Sequence, residues 1–154
     1  VEDEASGVFL EALRQVFAET GIRIGVIVPG GGLRGGGPVG QVLASVGVTG
    51  EVRCNLMLCA DNRSADGILR GMTFGLPLPA DRHGEFPRAA MGEIANQVAG
   101  RAVTLLAARD RRCDITPPTV VTADLIDSLL SGSVAAWTVH GDFGLLHLVT
   151  AQER

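Results

Sequence analysis

Residues 87–108 read Pro87-Arg-Ala-Ala-Met-Gly-Glu-Ile-Ala-Asn-Gln-Val-Ala-Gly-Arg-Ala-Val-Thr-Leu-Leu-Ala-Ala108. At about 100° per residue, Met91, Ile94, Ala95, Val98, Ala102 and Leu105 fall into one broad apolar sector. Ala89, Glu93, Asn96 and Gly100 fall on roughly the opposite side. The spacing predicts a long amphipathic helix, with Pro87 in a first turn where its missing N–H is harmless. Glu93 and Asn96 are i and i+3, so their side chains are neighbours. Gly92 lies beside the pair and Gly100 one turn beyond it. Each mid-helix glycine costs about 1 kcal/mol against alanine. Two of them flanking an acid–amide pair point to a face that something approaches closely. An ordinary solvated face is the plainer reading of the periodicity alone.

The segments around this helix predict the rest of the fold. Residues 3–20 carry Val8, Phe9, Ala12, Leu13, Val16 and Phe17 at helical spacing, with Ser6 as a candidate N-cap and Gly21 as a stop. Residues 22–28 are strand-like. Residues 46–60 read as one or two strands around Gly50, with Val52, Cys54, Leu56 and Leu58 on one face and Arg53, Asn55 and Met57 on the other. Ser64 is a candidate cap for a short helix with Ala65, Ile68, Leu69 and Met72 inward, and residues 75–84 read as a connection. Residues 113–121 are extended, because Pro117-Pro118 forbids helix. Residues 125–130 suggest a short helical segment. Residues 134–140 and 143–150 alternate around Gly141-Asp142, a hairpin signal, and 143–150 offers a plausible edge strand. No repeat or linker is visible. The expectation is one α+β domain over residues 1–154, an antiparallel sheet covered by helices, interrupted by a glycine-rich loop at about 29–40.

Composition removes several chemistries. The chain has 154 residues, and all 13 of its basic residues are arginine. Without lysine there is no Schiff base and no Walker-A phosphate contact, and without tyrosine no tyrosine chemistry. A net charge of −4 argues against a nucleic-acid partner. No apolar run reaches the roughly 18–20 residues that span a bilayer, so membrane insertion is not expected. The acidic start, Val1-Glu2-Asp3-Glu4, carries no signal-peptide pattern. Cys54, Cys59 and Cys113 are an odd count without a CxxC pair, which fits buried thiols in a reducing cytoplasm.

Two motifs are discounted. Gly30, Gly32 and Gly35 match GxGxxG, but Gly36, Gly37 and Pro38 stand where a phosphate-binding helix would start. His83, His140 and His147 lack ligand spacing with any cysteine or carboxylate, so no metal site is expected. Nothing like a G-x-S-x-G elbow appears.

Met91-Gly-Glu-Ile-Ala-Asn-Gln-Val-Ala-Gly100, followed by Cys113-Asp-Ile-Thr-Pro-Pro-Thr-Val-Val121, resembles the CheX/CheC/FliY group of bacterial chemotaxis phosphatases. That group carries an E-x-x-N pair on a long helix and a proline just over twenty residues later. The pair here is Glu93 and Asn96, and Pro118 stands at the matching distance. The resemblance covers most of residues 47–150, and a single E-x-x-N is similar to CheX rather than CheC. The family often places Asp or Ser four residues before the glutamate, where this chain has Ala89.

The resemblance implies a phosphatase that hydrolyses the aspartyl-phosphate of a CheY-like receiver domain. Asn96 would orient the attacking water, and Glu93 would pair with a receiver lysine. Ala89, Gly92 and Gly100 would give clearance for docking. No cofactor is expected on this chain; Mg2+ is expected in the receiver. The resemblance also implies a homodimer. The alternative is a non-catalytic module of the same fold that binds a receiver or another signalling protein.

Overall fold

The computed structural model describes residues 4–30, 42–80, 84–121 and 132–153. Its elements run α1 (Glu4–Thr20), β1 (Ile24–Pro29), β2 (Val42–Gly50), β3 (Cys54–Ala60), α2 (Asn62–Met72), α3 (Glu85–Ala107), β4 (Cys113–Ile115), β5 (Thr119–Val121), β6 (Ser133–Gly141) and β7 (Gly144–Gln152). All strands join one antiparallel sheet in the order β1-β6-β7-β3-β2-β4, with β5 also on β2. The architecture is the expected α+β: helices against an antiparallel sheet.

Local chemistry sets the ends of α1. Its C-terminus closes as a Schellman motif: Ile22 N donates to Phe17 O (3.0 Å) and Gly21 N to Ala18 O (3.3 Å). Gly21 takes φ +77°, which glycine adopts at no steric cost. Ser6 is not the cap expected of it. It sits inside the helix, 3% exposed, with its Oγ 3.2 Å from Thr150 Oγ1 on β7. A buried hydroxyl needs a partner, and that tertiary pairing outweighs the local capping preference. Ser64 differs in the same way. Asp61 caps α2 by accepting from Ser64 N (2.7 Å), while buried Ser64 Oγ accepts from Leu145 N (3.0 Å) and ties α2 to β7.

One core joins the inner faces of the three helices to alternate residues of the strands. Phe9, Leu13 and Phe17 of α1 and Met91, Ile94 and Val98 of α3 meet Val46, Leu56, Leu58, Trp137 and Leu148, all buried. Cys54, Leu56 and Leu58 share the helix-covered face, as the alternation predicts. Met57, expected on the other face with Arg53 and Asn55, is also fully buried. It belongs to a second cluster on the opposite face with Leu43, Cys59, Val149 and Ala151. The centre of the sheet is therefore buried on both sides. Burial pushes the Cys59 thiol up to about 12, so it behaves as a small apolar side chain.

Residues 42–60 form a first hairpin of two strands, β2 and β3, and the second hairpin, expected at 134–150, forms with two changes. The second closes at Gly141↔Gly144, so its turn residues are Asp142 and Phe143 rather than Gly141 and Asp142. Strand β7 is also not an edge, because it pairs with β6 on one side and β3 on the other. The extended stretch 113–121 runs along the outer side of β2 as two short strands, Val48 pairing with Ile115 and Leu43 with Val121. Pro117-Pro118 separates them, as prolines confined to a sheet edge do. The helical segment expected at 125–130 lies outside the described residues, as does the glycine-rich stretch 31–40.

Candidate functional site

Helix α3 positions the candidate residues. It begins after Gly84, which takes the left-handed conformation, and Pro87 falls in its first turn. Its inner side is wider than the periodicity suggests. Ala90, Met91, Gly92, Ile94, Ala95, Val98, Ala99, Ala102 and Leu106 are all buried. Leu106 replaces the expected Leu105, which is half-buried. Packing against α1 on one flank also fixes the helix: Arg101 donates to Gln15 Oε1 (3.0 Å) and to Glu19 Oε2 (2.6 Å).

Glu93 and Asn96 project from the remaining outer strip. Glu93 is exposed, and its Oε1 accepts from Gln97 Nε2 (2.9 Å) one turn on. That bond holds the carboxylate against its own helix and leaves its other oxygen towards solvent. Asn96 is half-buried, and its amide makes no hydrogen bond among the described residues. An Asn amide carries two donors and an acceptor. Here the helix offers that set to whatever arrives. Ala89 is exposed one turn before Glu93. Gly100 is half-exposed, and a Cβ added there would meet nothing within 4 Å, so this end of the strip is open.

Gly92 departs from the expectation. It is buried, and a Cβ added to it would lie 3.1 Å from Val120 Cγ2 and 4.0 Å from Pro118 Cβ. The clearance it provides is for the chain's own β5 rather than for open solvent. A mid-helix glycine beside Glu93 signals a close approach, but the sequence does not say what approaches. Nothing in the sequence singles out Val120; its only signal is membership of the extended stretch after the two prolines.

The remaining candidates stay apart from α3. His147 is half-buried on β7, and burial lowers its tendency to hold a proton. Thr138 Oγ1 donates to Gly30 O (3.0 Å) and lies 3.1 Å from His147 Nδ1, so Nδ1 must carry the hydrogen between them. His140 is on the neighbouring strand; His83 lies outside the described residues. Among the described residues no group of three or more His, Cys, Asp or Glu could hold a metal ion. Gly30 extends the pairing of β1 by donating to Ala136 O (2.7 Å), and Gly32 and Gly35 lie outside the described residues. Among the described residues no helix is long and apolar enough to cross a membrane.

No curated protein sequence matches the chain. Among solved structures, the chain is similar to CheX in a CheX–CheY–BeF3–Mg2+ complex from Borrelia burgdorferi. The TM-score is 0.77 at 22% identity, covering 99% of this chain and 100% of that one. It is also similar to a CheX from Desulfovibrio desulfuricans, with a TM-score of 0.74 at 18% identity over 98% of this chain and 100% of that one. FliY of Thermotoga maritima aligns less closely, with a TM-score of 0.60 at 18% identity over 94% of this chain and 84% of that one. These likenesses show a shared fold. The model of the family "Chemotaxis phosphatase CheX" matches residues 42–140, which span β2 to β6 and include Glu93, Asn96 and Pro118, and the chain belongs to that family.

Proposed function

We propose that this protein hydrolyses the aspartyl-phosphate of a CheY-like receiver domain. The observation that carries the reading is Asn96. Its amide stands free of intramolecular bonds among the described residues, one turn from an exposed carboxylate, on a rigid helix whose inner side is fully packed. Membership of the CheX family and the likeness to a CheX solved with CheY support it.

An acyl phosphate is already activated, so the helix has little covalent chemistry to supply. Its task is position. Asn96 enters the receiver's site, where its amide accepts from and donates to a water and aligns it in line with phosphorus, a task like that of a water-orienting glutamine in a GTPase. Glu93 pairs with the receiver's lysine and fixes the register of docking. Neither residue is a nucleophile. The receiver contributes the Mg2+. The protein acts as a homodimer in the cytoplasm, and light scattering on the purified chain checks the dimer.

The test is phosphate release from a phosphorylated CheY-type receiver with Mg2+, with and without this protein, beside Asn96→Ala. Accelerated release that disappears in the variant is expected. No acceleration with any receiver of the same genome overturns the catalytic reading. It would favour a module that binds receivers without hydrolysis, for which exposed Ala89, standing where the family often has Asp or Ser, is the specific observation.

A further inference from the structure

Of the two glycines inside α3, Gly92 is enclosed and Gly100 is not. What encloses Gly92 is the edge of the sheet. Val120 pairs with Ala44 on one side of β5 and sets Cγ2 3.1 Å from where a Gly92 Cβ would stand on the other. That is tighter than ordinary side-chain packing, so a Cβ at residue 92 would require Val120 and β5 to give by a few tenths of an ångström. Immediately before β5, Pro117 and Pro118 are both exposed. Lacking N–H groups, they cannot take a further strand onto this edge. They leave a stiff apolar ridge whose Pro118 Cβ lies 4.0 Å from the Gly92 position. At 3.6 residues per turn, Gly92 lies about 40° around the helix from Asn96. The ridge therefore flanks α3 on the Asn96 side.

We infer that Gly92 is a positioning residue: it lets β5 lie against α3 and so holds Pro118 beside Asn96 as a second, apolar wall for the receiver domain. The inference rests on the proposed function above. A proline wall suits the task because it is already rigid, so docking against it orders little further chain. Apolar surface next to a polar anchor also excludes water from the anchor's hydrogen bonds, as the surround of an interface hot spot does. Glu93 and Asn96 supply the polar interactions, and the ridge fixes the angle at which the receiver meets them.

The test compares wild type, Gly92→Ala, Pro118→Ala and Gly92→Ala/Val120→Ala. The measurements are kcat and KM for phosphate release, Kd for a receiver activated with beryllofluoride and Mg2+, and Tm. Gly92→Ala is expected to raise KM and Kd about threefold, by shifting β5 and the ridge it carries, with kcat changing less than about twofold. Alanine is the better helix former, so the fold is expected to persist. Val120→Ala in the same chain removes the methyl that the new Cβ would meet, and is expected to restore KM. Pro118→Ala is expected to raise KM with no added bulk, and it decides the matter if Gly92→Ala does not fold. An active wild type whose Gly92→Ala and Pro118→Ala variants keep KM and Kd overturns the inference alone. So does a Gly92→Ala protein whose only change is a lower Tm. A wild type that neither releases phosphate nor binds any receiver overturns the proposed function, and this inference with it.

Discussion

Helices α1 and α3 lie side by side against the same core, and each buries one side completely. Outwardly they differ. On α1 the one side-chain amide is bonded within the chain: Gln15 donates to Glu11 (3.2 Å) and accepts from Arg101 of α3 (3.0 Å). On the outer strip of α3, Glu93 accepts from Gln97 just as Glu11 accepts from Gln15, but the Asn96 amide bonds to nothing among the described residues. A polar surface that serves stability uses up its donors and acceptors within the chain. One that serves recognition keeps them open. Asn96 is half-exposed, so water satisfies it at little cost, as the proposed docking requires.

Substitutions on the two helices test this contrast. The largest effects belong to the inner sides, where the helices should behave alike. Leu13→Ala and Ile94→Ala are each expected to cost about 2–5 kcal/mol in denaturant unfolding, since both side chains are fully buried. A small loss at only one would mean the helices differ inwardly as well. Removing an amide from each outer face comes next. Asn96→Ala is expected to slow turnover about a hundredfold, the usual scale for losing an oriented hydrogen-bonding group, with Tm unchanged. Gln15→Ala is expected to leave turnover alone. Equal effects from the two would erase the distinction. Glu93→Ala falls below these, with KM raised about tenfold through removal of one charge-assisted bond and kcat largely kept.

The smallest effect is at the α1–α3 seam. The Arg101 hydrogen bond holds the Glu19 carboxyl below its ordinary range. A carboxyl whose folded pKa is depressed contributes stability above its unfolded pKa and loses it as pH falls through the folded one. Wild type should therefore lose a small increment of Tm on acidification below about 4.5, and Arg101→Ala should lose that part of the slope. Glu19 is exposed and Arg101 half-buried, so solvent reaches the pair and salt should shrink the difference. An identical acid slope in the variant would show that the pair adds nothing.

Much of this was legible in the sequence, because the period of α3 and the alternation of the strands are properties of contiguous residues. Glu93, Asn96, Ala89 and Gly100 could be placed on the outer strip from spacing alone. What failed to show depended on partners distant in sequence. Ser6 and Ser64 look like caps, since capping is a local preference. Their actual roles are set by Thr150 and Leu145, far along the chain. Gly92 was visible as an anomaly, but its explanation is Val120 on another element. Burial of Met57 on the second face of the sheet could not be seen in an alternation that assumes one wet face. Leu106 joins the buried side because the inner side of α3 is broader than a narrow apolar stripe, while Leu105, in the helix's last turn, is only half-buried.

The sheet order has a consequence for synthesis. Among the described residues strand β1 pairs with β6 alone, where Ile27 meets Val139, while β2 and β3 can close as a hairpin as soon as both have emerged. At ordinary elongation rates the ribosome needs on the order of ten seconds to travel from one partner to the other. For that interval the nascent chain carries an unpaired strand bearing Val26 and Val28. The native structure still exposes those two at 64% and 45%. Chaperone demand and aggregation during expression should therefore respond to β1 more than to any other strand.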